Sequence, residues 1–165
     1  MTREAWEAGC SFFLEAHGVE HFTATEVCPV GKTHKRSVLE SPPPDFMLTA
    51  LKLIDGPLGW IRWYEGPAPI TVTSWYRSEA YNRAVGGGEQ SIHLTAGAID
   101  IKKRGWSPER LALALHNDYP MADKLGIGVY GGFTHLDIRG LLGRRAPARW
   151  SGEGARKRWW MESAA

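Results

Sequence analysis

The sequence predicts an α+β fold in which a mainly antiparallel sheet is flanked by helices. Three features indicate this class. Apolar residues recur at helical spacing in some segments, other segments alternate as β-strands do, and the two kinds follow one another without regular strand–helix alternation. With 165 residues, 43% of them hydrophobic, the chain is long enough to bury a core. We expect one domain over residues 1–165, with its core at about 20–140.

The helices are predicted from periodicity and from their end signals. Residues 3–17 form an amphipathic pattern that stops at Gly18, and "SPPPDFMLTALKLID" gives a second helix entered through prolines. Between them, residues 20–43 show no period, and we expect a long loop. Ser78 is predicted to cap a short helix that ends at Val85, and "SPERLALALHN" places Pro108 at the first helical position.

The strands are predicted from alternation and β-branched content. "PITVTSWY" and "AIDIKK" are typical strands, and "GIGVYGGFTHLDI" predicts a hairpin that turns at Gly131 and Gly132. Because successive side chains point to opposite faces of a strand, Asp100 faces away from its apolar neighbours. His135, Asp137 and Arg139 likewise share the face opposite the apolar residues of their strand.

If these two strands are neighbours, Asp100, His135 and Asp137 converge. His93 can fold back over Asp100, because the intervening "LTAGA" is small. Two imidazole nitrogens, one carboxylate oxygen and an open fourth position are the ligand set of catalytic zinc. Spacing alone leaves open the alternative that these are ordinary surface or core residues.

The segment "TSWYRSEAYNRAVGGGEQSIHLTAGAID" resembles the signature region of D-alanyl-D-alanine carboxypeptidase-like zinc peptidases. These enzymes form one superfamily with lysostaphin-type enzymes and the hedgehog fold. The family pattern is S-x-Y-R-S, then Asn and a Gly-rich turn, then S-x-H-x-x-G-x-A-x-D. "FTHLDIRG" is similar to the version of the third-ligand segment that reads H-x-D, and the resemblance covers roughly residues 20–140. The matching residues are Ser74, Tyr76, Arg77, Ser78, Asn82, Gly86, Gly87, Gly88, Ser91, His93, Ala98 and Asp100.

The resemblance implies one zinc ion per chain. Its ligands would be His93, Asp100 and His135, while Arg77 would hold a substrate carboxylate and Ser91 would orient the site or the substrate. The planar guanidinium suits Arg77 to that task.

Two positions depart from the family pattern. Ala96 replaces the first glycine of the His–Asp segment, and we expect a slightly altered turn with an intact site. Many relatives carry Glu or Asp three residues before the last His as general base, where this chain has Gly132. Asp137 is our candidate for the catalytic base, because it shares a strand face with His135. The alternatives are that Asp137 only orients a ligand, or that Tyr130 or a loop carboxylate moves the proton.

The resemblance therefore implies a zinc-dependent peptidase that hydrolyses peptidoglycan stem or cross-bridge peptides next to D-alanine. The enzyme would act as a carboxypeptidase or an endopeptidase. It could be a phage endolysin, which reaches the cell wall through a membrane hole formed by another protein. The alternative is a non-catalytic, zinc-bound protein of the same fold that binds the cell wall or belongs to a virion. The missing base supports this alternative.

Glu4, Glu7 and Glu15 interrupt the apolar stretch that a signal peptide needs, and no apolar run reaches the ~18 residues of a membrane-spanning helix. We therefore expect synthesis in the cytoplasm without a Sec signal, and action on the cell wall through phage-type release or in the periplasm. We expect a monomer and no nucleic-acid partner.

Residues 139–158 contain seven basic residues and one acid. We expect a solvated basic tail, although its tryptophans, Trp150, Trp159 and Trp160, suggest that it packs onto the domain instead. The remaining Cys and His residues near the N-terminus fit no zinc-finger spacing, so we expect no second metal site there. They are Cys10, His17, His21, Cys28 and His34.

Overall fold

The computed structural model describes residues 3–27 and 45–161, which form helices around a five-stranded sheet. The strand order is β1-β2-β4-β3-β5, and every pair is antiparallel except the parallel pair β3–β5. The predicted α+β class with a mainly antiparallel sheet is confirmed. The helices are α1 Arg3–Ala16, α2 Ala24–Val27, α3 Phe46–Leu53, α4 Gly59–Trp63, α5 Glu79–Ala84 and α6 Pro108–Asn117. The strands are β1 Ile70–Ser74, β2 Ala98–Lys103, β3 Gly126–Val129, β4 Thr134–Asp137 and β5 Ala148–Ser151.

The predicted starts of α5 and α6 are present in the structure. The Ser78 hydroxyl accepts a hydrogen bond from the backbone N–H of Tyr81 at 3.2 Å, which starts α5. At α6, Pro108 occupies the first turn. The hydroxyl of Ser107 accepts from the N–H of Arg110 at 3.1 Å. Both caps satisfy N–H groups that have no partner inside the helix.

Part of the predicted loop over residues 20–43 is helical. At the start of α2, the Thr23 N–H donates to the Glu26 carboxylate at 2.9 Å, which is one half of a capping box. The prediction of an irregular segment is therefore wrong for α2. The rest of that prediction, from residue 28 onward, lies outside the described residues.

The chain stays helical after α3, but its direction changes. A π-helical turn, Ile54–Leu58, joins α3 to α4 and contains Pro57. Proline has no backbone N–H, and Gly56 leaves helical geometry at φ −95° and ψ −115°. Gly56 and Pro57 therefore produce a kink between α3 and α4, and helical structure continues beyond it.

The hydrophobic core lies between one face of the sheet and the helices. Ile99 and Ile101 of β2, Leu136 of β4 and Leu115 of α6 are fully buried there. The opposite face of β2 and β4 carries the polar residues, as the strand alternation predicts. Asp100 pairs with His135 in the register of β2 and β4, so these two strands are neighbours and the condition for convergence of their polar residues is met.

The basic segment after residue 139 packs onto the sheet. Its strand β5 extends the sheet beside β3, and Trp159 is only 2% exposed. The Arg149 guanidinium donates to the carbonyl oxygens of Leu125 and Ala122 at 2.8 and 2.9 Å. The prediction of a solvated tail is wrong here, because its tryptophans are apolar enough to pack against the domain. The packed alternative is confirmed.

No helix within residues 3–27 and 45–161 combines the length and the apolar character needed to cross a bilayer.

Candidate metal centre

A short 3-10 turn, Ile92–Thr95, presents His93 to the site. The ring is buried, and its Nδ1–H donates to the backbone carbonyl of Trp75 at 2.6 Å. This bond fixes the tautomer in which Nε2 carries a lone pair toward the cavity. Burial lowers the pKa of His93, so the imidazole is held in the neutral form that binds metals.

The turn that follows His93 is held by the side chain of Trp75. Its indole Nε1–H donates to the carbonyl of Ala96 at 2.9 Å, and Ala96 takes the left-handed conformation with φ 55°. A methyl group added at Gly97 would lie 2.9 Å from Cγ2 of Ile92. Close packing therefore requires the glycine at 97, while alanine is tolerated at 96. The three candidate ligands still converge with alanine at position 96. That Ala96 slightly alters the turn relative to the family stays a prediction.

Asp100 of β2 supplies the carboxylate. Its Oδ1 lies 3.0 Å from Nδ1 of His135 and 3.4 Å from Nε2 of His93. Its Oδ2 accepts from Nη2 of Arg77. Burial alone would raise the pKa of Asp100, but the neighbouring imidazoles of His135 and His93 hold this pKa well below its usual range. Asp100 is therefore an anion across the neutral pH range.

His135 of β4 completes the set, and the ligand atoms of all three residues lie within 4.8 Å of one another. Nε2 of His93 faces Nδ1 of His135 at 3.2 Å, and the Asp100 carboxylate lies beside both nitrogens. Lone pairs that converge in this way are satisfied by a proton on His135 or by a metal ion between them. Two imidazoles and one carboxylate fit zinc in a catalytic site. The structure thus brings together the three residues that the sequence suggested as ligands.

Asp137 lies behind His135 and is 1% exposed. Its Oδ2 is 3.1 Å from Nε2 of His135 and accepts from Nη2 of Arg139 at 2.7 Å. Its Oδ1 accepts from the backbone N–H and from Nε of Arg139 at 3.0 and 2.9 Å. Gly126 on β3 makes room for this pair, because a methyl group there would overlap both side chains. The carboxylate is thus surrounded by donors.

The environment of Asp137 bears on its predicted role as the base. Burial would raise its pKa, but hydrogen bonds from His135 and Arg139 hold the pKa well below the usual range. A carboxylate with a lowered pKa is a weak proton acceptor. These contacts favour the alternative in which Asp137 orients His135, and the base role stays a prediction.

Arg77 and Ser91 both line the cavity, but each also makes a contact inside the protein. Nε of Arg77 donates to the Ser74 hydroxyl at 2.9 Å, and Nη2 donates to Asp100. The Ser91 hydroxyl accepts from the N–H of His93 and so caps the turn that carries this ligand. Their predicted roles toward a substrate stay predictions.

The cavity in front of the three ligands has a volume of about 800 Å³. The Gly-rich turn forms one wall, where Asn82 donates to the carbonyl of Gly88 at 2.9 Å and packs under Gly87. The hairpin forms another wall through Tyr130 and Phe133, whose rings stack at 4.6 Å. A cavity of this size accommodates a short peptide segment.

The family of the chain follows from its comparison with known proteins. A family model described as Peptidase M15 matches residues 20–137, which include all three candidate ligands. The chain belongs to the peptidase M15 family. These are zinc peptidases of the D-Ala-D-Ala type that act on peptidoglycan, and the present M15 chain is accordingly a metallopeptidase. No curated protein matches the chain.

The sequence did not indicate all residues that shape the site of this M15 peptidase. The ring of Trp150 packs on His135 with centroids 5.0 Å apart, and its Nε1–H donates to the Tyr130 hydroxyl at 3.1 Å. Trp75 orients His93 through its backbone carbonyl, and because every residue has this group, the contact cannot be predicted from residue type. The available signals were weak: Trp75 lies inside the quoted motif, and Trp150 lies at the end of an arginine-rich run.

Within the described residues, the Cys and His residues near the N-terminus do not form a metal site. Cys10 is buried, with Sγ 3.6 Å from the Met47 sulfur. His17 is exposed and donates from Nδ1 to the carbonyl of Phe13 at 2.8 Å. Cys28 and His34 lie outside the described residues.

Proposed function

We propose that this M15 chain hydrolyses peptidoglycan stem or cross-bridge peptides next to D-alanine, using one zinc ion held by His93, Asp100 and His135. The convergence of these three ligand atoms at the floor of a peptide-sized cavity carries the proposal. When bound, zinc acts as a Lewis acid that polarises the scissile carbonyl and lowers the pKa of a bound water molecule to about 7.

The residues around the ligands prepare them for this role. Trp75 keeps the proton of His93 on Nδ1, and Asp137 keeps the proton of His135 on Nε2. Each imidazole therefore presents the lone pair of its other nitrogen to the cavity. Arg139 in turn holds Asp137 charged and in place. In this proposal Asp137 is a positioning residue.

Two residues are suited to act on the substrate. Nη1 of Arg77 is the guanidinium nitrogen that is not used by Ser74 or Asp100, and it donates to a substrate carboxylate or carbonyl. The Tyr130 oxygen accepts from Trp150, so the Tyr130 proton is available to the leaving amine, and the phenolate would recover a proton from the attacking water. Ser91 keeps the His93 turn in register beside the substrate.

One observation favours the non-catalytic alternative. In the part of the chain that the structure describes, the only carboxylates lining the cavity are Asp100 and Asp137, and both are committed to other groups. A protein that kept zinc and lost the base would bind wall peptides without cutting them. A phage lysin must hydrolyse wall peptides, so a cleavage assay separates the two functions.

The experiment uses zinc-loaded protein, purified peptidoglycan and a stem pentapeptide ending in D-Ala-D-Ala, with the products identified by mass. Release of terminal D-alanine marks a carboxypeptidase, and shortened cross-linked fragments mark an endopeptidase. His93→Ala is the matched control, because it should lose both zinc and cleavage. A wild-type protein that binds zinc stoichiometrically and leaves both substrates intact would establish the non-catalytic function instead.

A further inference from the structure

Arg144 lies between two cavities. It lines the metal cavity, and it also lines a second cavity of about 300 Å³ beside the start of α3. The Arg144 guanidinium is held at this position by a hydrogen bond of 2.5 Å from Nη1 to the carbonyl of Gln90. The residues that line the second cavity are Asp45, Phe46, Thr49, Thr95, Leu142 and Arg144.

The second cavity contains one acidic and one basic side chain, and neither is neutralised by a described residue. Asp45 occupies the N-cap position of α3, yet its carboxylate makes no hydrogen bond to the N–H groups of that helix. Among residues 3–27 and 45–161, neither Asp45 nor Arg144 forms an ion pair. Nε and Nη2 of Arg144 remain for a ligand after the bond to Gln90.

Hydroxyl and apolar groups line the rest of the second cavity. Thr49 is a buried polar residue on the cavity wall. The Thr95 hydroxyl donates to the carbonyl of Ile92 at 3.0 Å, which leaves its oxygen able to accept. Leu142 gives the cavity an apolar side. A ligand that fits these groups carries an ammonium group, a carboxylate and a short aliphatic stem.

The two cavities lie on either side of a single turn. In the 3-10 turn Ile92–Thr95, His93 points into the metal cavity and Thr95 lines the second cavity two residues later. A peptide bound across the metal cavity can therefore direct a side chain past Arg144 into the second cavity.

We propose that the second cavity is a subsite for an amino acid zwitterion at the end of a substrate side chain. Asp45 binds its ammonium group and Arg144 binds its carboxylate. This inference rests on the proposed function, since it places the rest of the peptide in the metal cavity. The substrate class is a stem peptide with a diamino dicarboxylic acid, such as meso-diaminopimelate. Lysine at the same position lacks the carboxylate that Arg144 recognises.

The test compares two stem pentapeptides that differ only at the third residue, meso-diaminopimelate or lysine. The zinc-loaded wild type should cleave the diaminopimelate peptide with a kcat/KM about 10-fold or more above that of the lysine peptide. Arg144→Gln should remove this preference by weakening only the diaminopimelate peptide. Asp45→Asn should weaken both peptides, because both present an ammonium group. Arg145→Gln is the matched control at a neighbouring exposed arginine, and it should keep the preference.

Calorimetric binding of both peptides to the same proteins gives a readout that does not depend on turnover. Equal kcat/KM and equal affinity of the wild type for both peptides would overturn the subsite and leave the peptidase function standing. If the wild type cleaves neither peptide, the peptidase proposal fails. In that case, tighter binding of the diaminopimelate peptide that is lost in Arg144→Gln would still support the subsite. Equal binding would overturn it.

Discussion

Asp137→Asn separates the positioning role of this residue from a role as general base. The side chain keeps its shape and its burial, but an amide offers one accepting oxygen where the carboxylate offers two. In the structure, both carboxylate oxygens accept from Arg139, and Oδ2 also accepts from Nε2 of His135. The new NH₂ group must therefore face another donor, either the His135 ring or the Arg139 guanidinium.

The size of the effect follows from the bond that is lost. A hydrogen bond to a charged group contributes about 1.5–3 kcal/mol, which corresponds to about 10- to 100-fold in an equilibrium constant. If Asp137 positions His135, the zinc dissociation constant of Asp137→Asn should rise by about that factor. Turnover at saturating zinc should fall much less than the ~10²–10⁴-fold expected when a general base is removed.

The assay titrates zinc against a chelating dye and measures kcat with zinc in excess. Asp123→Asn serves as the control for a surface carboxylate, because Asp123 is exposed and forms an ion pair with its neighbour Lys124. Unchanged zinc affinity together with a loss of kcat near 10³-fold would refute the positioning argument and assign the proton transfer to Asp137.

Four further predictions concern the same site. Burial lowers the pKa of His135, but hydrogen bonds with Asp100 and Asp137 outweigh this and raise it above 6.5. Zinc must displace the second proton of the His135 imidazolium. Zinc affinity should therefore fall about tenfold per pH unit below the raised pKa of His135 and stay constant above it. A zinc affinity that is independent of pH down to pH 5, measured by dye competition, would contradict this. Gly128→Ala should lower the free energy of unfolding by ~1–3 kcal/mol in urea denaturation, since its methyl group would overlap the Trp150 ring. Gly132→Ala, with open space around it, should change that energy by less than ~0.5 kcal/mol, and equal effects would refute the packing argument. Tyr130→Phe should reduce kcat by about 10²-fold with zinc affinity unchanged, and full activity would exclude the hydroxyl from proton transfer. Arg77→Lys should impair turnover of D-Ala peptides while zinc content stays at one per chain; loss of zinc would instead show that Arg77 mainly supports Asp100.

The strands of the site could be predicted because apolar and polar residues alternate within each short segment. Asp100 stands between Ile99 and Ile101, and His135 and Asp137 alternate with Leu136 and Ile138, so strand alternation predicts the face on which these polar side chains lie. The register that places them opposite each other is a property of strand pairing and is seen only in the structure. In contrast, the sequence analysis did not predict α2, although Thr23 and Glu26 have the spacing of a capping box, because the helix is only one turn long.

The contacts that orient the ligands were harder to predict. His93 is held by a backbone carbonyl, and any residue at position 75 would offer the same atom. Asp137 was correctly placed on the face of His135, but its role depends on how Arg139 folds back onto it. Trp150 comes from a strand that pairs parallel to β3, and no local pattern specifies that partner.

The position of β5 has a practical consequence for anyone who shortens this protein or fuses it to a carrier. The family match ends at residue 137, which looks like a natural place to cut. A chain cut there would keep all three ligands, yet it would lack Arg139 behind Asp137 and the Trp150 ring against His135. It would also expose the edge of β3 and open a gap where Trp159 is buried. A junction placed after residue 161 keeps these parts together.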